Sequence, residues 1–329
     1  MLRPKSDPVL ASLCAVAVAI SACGTAAAPP RTPITARTPR PAGTAQASPR
    51  DVRVPRWAFA GPDAIAADPA RVWVANHGGN SVTELSAATG ALIRVIAGQQ
   101  FQLDGPVAIA ADASHVWVAN ATGNSLTEIN AATGDLIRVI SAPPYQLNGP
   151  QAITADATHV WVINTTGNSL TEINAATGDL IRVISAPRYQ LNGPQAITAD
   201  ATHVWVASGN SRTLTEINAV TGALIRVISL PDVPFAITAN GAAVWLVINV
   251  GAKSADGSRP HGSVIEVSAT GRLVRTLSSP QFADSDPGGA VASAGNQVWV
   301  TDSKFVSNGE GWVTELSPVT GALMRLISG

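Results

Sequence analysis

The sequence is short of charge, of cysteine and of long apolar runs. Only 13% of its 329 residues are charged, and 21 Lys and Arg against 22 Asp and Glu leave a net charge of −1. Without a basic excess there is no electrostatic case for a nucleic-acid partner, because that affinity is built on phosphate neutralisation. Two cysteines cannot make a disulfide framework. The longest uncharged apolar stretch, Val9 to Ala22, has 14 residues, too few for the roughly 20 that span a bilayer. No helical 3.6-residue period runs through the chain. What is present is a 46% hydrophobic fraction, which excludes wholesale disorder, together with 28 Gly and 23 Pro, which favour a turn-rich β protein.

The first segment reads as an address. Arg3 and Lys5 precede the apolar stretch, the pattern of a signal peptide. It ends in Ile20-Ser21-Ala22-Cys23, which resembles the bacterial lipobox. The resemblance implies a signal peptide over residues 1–22, cleavage before Cys23, diacylation of Cys23 with palmitate-type chains, and a lipid-anchored protein on the extracytoplasmic face of the membrane. Residues 23–55 are rich in Pro, Thr, Ala and Arg and almost devoid of large apolar side chains. Such a segment cannot offset its ordering entropy by burial, so a disordered tether is expected.

Residues 56–329 are expected to form one domain. Trp73, Trp117, Trp161 and Trp205 are spaced by 44 residues, with Trp245 and Trp299 following after 40 and 54. Around them one phrase recurs in six copies, at about 61–104, 105–148, 149–192, 193–232, 233–286 and 287–329. Each copy holds four short segments of β-branched or alternating apolar residues separated by turn residues. Four strands per 44-residue unit match a propeller blade. The expected fold is therefore an all-β, six-bladed propeller of four-stranded antiparallel blades, with seven blades as the alternative. The register has an internal check. Glu84 and Arg94, Glu128 and Arg138, Glu172 and Arg182, Glu216 and Arg226, and Glu315 and Arg325 are all ten residues apart. A three-residue hairpin with Gly134 and its equivalents in the left-handed region would set them opposite one another. As surface pairs, each would contribute a few tenths of a kcal/mol.

The phrase VWVANHGGNSVTELSAATGALIRVI, Val72 to Ile96, resembles the YVTN-type propeller repeat, an NHL-like family with a distant likeness to streptogramin lyase propellers. The likeness covers about four fifths of the chain and implies a propeller, a fold that hosts unrelated activities. Streptogramin lyases use a His-x-His pair with a nearby Glu to bind Mg²⁺, and no His-x-His occurs here. Glu310 with His77 or His261 would have to assemble a substitute.

In a propeller the first strand of each blade lines the axis, and its entry loop shares a face with the second-to-third-strand loop. Ten residues before each tryptophan lie Asp63, Val107, Gln151, Gln195, Phe235 and Gly289; three residues after lie Asn76, Asn120, Asn164, Ser208, Ile248 and Asp302. These positions differ between copies while the cores barely change. The expected ligand-binding set is Asp63, Gln151, Gln195, Asn76, His77, Trp57, Lys253, His261, Asp302, Glu310 and Trp312. The long loops Asn249 to Gly262 and Asp302 to Gly311 are the preferred recognition elements. Oxygen ligands at Asp63, Asn76, Asp286 and Asp302 would suit Ca²⁺ or Mg²⁺, but the expectation is no cofactor. His115, His159 and His203 share one repeat position on the opposite face and read as hairpin decoration. No Ser-His-Asp, Walker or Rossmann signature occurs, and no catalytic residue is assigned. The functional expectation is a membrane-anchored binding module for an envelope protein, peptide or glycan, working as a monomer. The alternative is a metal-dependent lyase or lactonase.

Overall fold

A computed structural model describes residues 58–241, 243–249, 262–277, 290–294, 297–303 and 311–328. It is a six-bladed β-propeller in which every blade is a four-stranded antiparallel sheet of four consecutive strands. In the third blade these are Pro150–Ala155, His159–Asn164, Ser169–Asn174 and Leu180–Ile184. The last blade ends with its own outer strand, Leu323–Ser328, so its sheet borrows no strand from the first. Among the described residues no helix is long and apolar enough to cross a membrane.

The reason these residues make blades is two-sided burial. In His159–Asn164 all but the first residue are buried, because a blade packs on a neighbour through each face. Five apolar clusters lie between consecutive blades, each seating the tryptophan of one blade against Val and Ile of the next: Trp161, for example, against Val204, Val206 and Ile217. Trp73, Trp117, Trp161 and Trp245 are fully buried. Each removes on the order of 200 Å² of surface from water, roughly 5 kcal/mol before costs. The indole N–H groups of Trp117, Trp161 and Trp245 lack a hydrogen-bond partner, which subtracts from that gain. The tryptophans are packing residues, as their repetition implies.

The outer hairpins have the expected register. Glu172 lies opposite Arg182, Glu128 opposite Arg138 and Glu84 opposite Arg94, with a bulge one residue on. Gly178 at the turn has φ +74, and a Cβ there would collide with Arg138 of the preceding blade, whose Nη2 donates to the Ala176 carbonyl of this turn. The turn glycine therefore serves two ends, a left-handed backbone and the passage of an arginine that ties one blade to the next.

The connectors between blades were not legible as structure. Gln99–Phe101, Pro143–Tyr145 and Pro187–Tyr189 form single 3₁₀ turns. The Tyr145 and Tyr189 hydroxyls donate to the Gly178 and Gly222 carbonyls of the following blade.

Candidate functional site

First strands of successive blades pack on one another, so they surround the axis. Each of the first five carries an irregularity at its entry. Pro150 pairs with Asn164 and Ala152 with Ile163, leaving Gln151 as the extra residue; Asp63, Val107, Gln195 and Phe235 occupy the same place in their blades. A bulge frees a residue from the ladder and re-aims its side chain. Four kinds of side chain thus stand at one position of an almost unvaried scaffold, at the mouth of the channel.

The mouth is chemically mixed. Asp63 Oδ2 lies 3.5 Å from His77 Nδ1, with both side chains partly exposed. Gln195 lies against Gly209, where a Cβ would come within 2.7 Å of its Nε2, and its Oε1 is buried without a partner. Val107 is buried and Phe235 partly buried. One carboxylate–imidazole pair, two amides and two apolar groups suit a ligand with polar and apolar parts. Among the described residues no group of three or more His, Cys, Asp or Glu is placed to hold a metal ion.

Asn76 belongs elsewhere than expected. It is fully buried, with Nδ2 donating to Ser81 Oγ at 3.2 Å and Thr83 Oγ1 at 2.9 Å. Asn120 and Asn164 repeat the pattern, and Thr127 and Thr171 pass the chain on to the Phe101 and Tyr145 carbonyls of the connectors. These asparagines fasten blade to connector and do not line the mouth. The cause is their place as last residue of the second strand, where the side chain turns into the sheet–connector interface. Asn76 is withdrawn as a ligand or metal contact.

Asp302 and Trp312 are register partners on strands Gln297–Ser303 and Gly311–Leu316 of the last blade. Cys23, Trp57, Lys253, His261, Asp286, Gly289 and Glu310 lie outside the described residues, as does most of the loop Asn249 to Gly262.

On the opposite face the Glu–Arg pairs differ from expectation in depth. The carboxylates of Glu84, Glu128 and Glu172 are fully buried, whereas Arg94, Arg138 and Arg182 remain about 30% exposed. In the third blade Arg182 Nε approaches Glu172 Oε2 at 2.6 Å, His159 Nε2 approaches Glu172 Oε1 at 3.6 Å, and His159 Nδ1 lies 3.6 Å from Asp156. The imidazole ring also tilts over Trp161, centroid to centroid 6.1 Å. His115 and His203 sit in the same arrangement, so these histidines are part of a repeated Asp–His–Glu–Arg cluster and not decoration. Burial pushes the Glu172 carboxyl up to about 7, against the pull of Arg182 and with help from Asp156. Glu84, Glu128, Glu216 and Glu266 are raised for the same first reason. Such pairs carry a desolvation penalty that surface pairs do not.

With this geometry in hand the solved structures can be placed. The chain is similar to hydrazine synthase of Kuenenia stuttgartiensis, with TM-score 0.65 and 17% identity over 87% of this chain and 90% of that one. It is similar to a streptogramin B lyase, with TM-score 0.60 and 16% identity over 82% and 83%. It is also similar to the dihydro-heme d1 dehydrogenase NirN, with TM-score 0.56 and 13% identity over 81% and 57%. The shared property is the propeller. At these identities the likeness carries the fold and no activity. No protein-family model and no curated protein sequence matches the chain.

Proposed function

We propose that this protein is a lipid-anchored, extracytoplasmic propeller of YVTN type that works as a binding module, presenting its axial mouth on the tether of residues 23–55. One observation carries the reading. At the bulge position five blades offer Asp63, Val107, Gln151, Gln195 and Phe235, while the strand residues behind them are held nearly constant and buried. A rigid scaffold with individual side chains at its opening is what recognition uses. The partner classes are an envelope protein, a peptide or a glycan, met through a nearly neutral face.

The test is capture from solubilised cell envelope by the full chain and by a Gln151→Ala/Phe235→Ala variant. Capture by the wild type and its loss in the variant, with an unchanged melting profile, is the expected result. Equal capture by both would remove the axial mouth from the argument.

A second reading, a divalent-metal-dependent lyase or lactonase, draws on the Asp63–His77 pair and the likeness to a streptogramin B lyase. It requires a rise in thermal stability specific to Mg²⁺ or Ca²⁺.

A further inference from the structure

The mouth face carries a second opening, away from the axis. Between the second and third blades lies a cleft of about 360 Å³, bordered by Pro143, Gln146, Leu147 and Asn148 of the connector and by Gly167 and Ser169 of the third blade. That volume falls within the ~300–1,000 Å³ of small-molecule sites. Every residue around it is uncharged. Pro143 and Leu147 supply apolar surface, and Gln146, Asn148 and Ser169 supply amides and a hydroxyl.

The chain contains its own comparison. At the next junction, 44 residues on, the connector repeats as Pro187, Gln190, Leu191 and Asn192, but the place of Gly167 is taken by Ser211 and that of Ser169 by Thr213. The Ser211 hydroxyl donates to the Gln190 carbonyl at 2.9 Å and lies 2.8 Å from Thr213 Oγ1. A hydroxymethyl group therefore sits there between a backbone carbonyl and a side-chain hydroxyl. At the second–third junction the carbonyl of Gln146 and the hydroxyl of Ser169 are kept, and residue 167 has no side chain to reach them. A Cβ built on Gly167 would stand 3.3 Å from both Asn148 Cβ and Ser169 Oγ, so a group of that size fits with small adjustment.

We propose that this cleft binds a neutral carbohydrate, one ligand hydroxyl occupying the place that Ser211 fills at the next junction. An ionic ligand would find no counter-charge on the lining. A purely apolar one would strip water from the amides and the carbonyl without replacing its hydrogen bonds, which costs free energy. A sugar residue offers hydroxyls that both donate and accept, and a C–H face for Pro143 and Leu147. The site is distinct from the axial mouth and does not depend on it.

The experiment is calorimetric titration of the full chain in detergent with galactose, N-acetylglucosamine and maltose, with glucuronate as a charged control. Saturable binding of a neutral sugar with a stoichiometry of one is expected, because the first–second junction, which also has a glycine at this place (Gly123), carries the charged Asp104 where this cleft has Asn148. Gly167→Ser should weaken it by about tenfold or more, since the added hydroxymethyl takes the ligand's place; Ser211 shows that the fold accepts a serine at this position. Ser211→Gly should open the next junction and raise the stoichiometry to two. No saturable binding of any neutral sugar, unchanged affinity in Gly167→Ser, or a stoichiometry still of one in Ser211→Gly would each overturn the proposal.

Discussion

Replacing Glu172 by Gln tests whether the buried carboxylates make this propeller sensitive to acid or to base. In the folded chain the Glu172 carboxyl is raised from 4.5 to about 7, first by burial, then modulated by Arg182 and Asp156. A raised carboxyl keeps its proton in the folded state at pH values where the unfolded chain has lost it. The folded state then binds more protons between about 4.5 and 7, and stability falls as pH rises through that window. At ~1.4 kcal/mol per unit, the change attributable to this one group is roughly 3 kcal/mol. The His159 imidazole lies 3.6 Å from the same carboxylate, so the comparison belongs in a His159→Gln background; Gln297 shows that Gln is accepted at the equivalent place in the last blade, donating to Glu315 at 2.6 Å. His159→Gln and His159→Gln/Glu172→Gln would be unfolded in urea at pH 4.5, 5.5, 6.5 and 8. The stability of the carboxylate-bearing chain should drop relative to its Gln partner as pH rises, by up to roughly 3 kcal/mol. A constant difference, or one of opposite slope, would refute the assignment of burial as the dominant influence on this group.

Two further outcomes follow from named contacts. Gly178→Ala drives a Cβ into Arg138 Nη1 at φ +74, whereas Gly241→Ala, at φ +79, meets nothing within 4 Å. Both should lose the roughly 1–2 kcal/mol of a left-handed alanine, and Gly178→Ala should lose more, read as a lower urea midpoint. Cys23→Ser should move the protein from the membrane fraction to the soluble extracytoplasmic fraction, measured by fractionation and immunoblot; retention in the membrane would dismiss the lipid anchor.

The fold was legible because the chain states it six times. One copy of four apolar segments is ambiguous, but a Glu–Arg offset of ten recurring with the turn glycine fixes a register, and Glu172 opposite Arg182 realises it. Depth was not legible. A carboxylate on a third strand looks the same in sequence whether its blade is solvated or covered, and only ring packing buries Glu172. Asn76 misled for a related reason: its place after a second strand reads as facing the mouth, whereas its buried side chain reaches Ser81 and Thr83. At the site, the bulge residues were found by counting from the tryptophan, because period-two geometry and a common register carry that far. The cleft at Gly167 was not found, because it depends on a 3₁₀ connector without periodicity and on what Ser211 touches in space.

The copies also explain one another's chemistry. The residue before Val-Trp or its equivalent is Arg71 in the first blade, His115, His159 and His203 in the next three, and Ala243 in the fifth. The residue three places earlier is Asp68, Asp112, Asp156, Asp200 and Asn240. Aspartate is thus present wherever a cationic or protonatable partner follows, and asparagine appears where the partner is alanine. The turn itself is indifferent to this choice: Asp156 Oδ1 accepts from the His159 backbone N–H at 2.7 Å, and Asn240 Oδ1 accepts from that of Ala243 at 3.0 Å. Charge is the reason for the exchange, because an aspartate beside Glu266 would add a second anion next to a buried carboxylate paired, among the described residues, with Arg275. The first blade balances two carboxylates with Arg71 and Arg94, and the fifth balances one with one. With a neutral imidazole, the second, third and fourth blades each hold one anion in excess, which a single proton on the cluster removes.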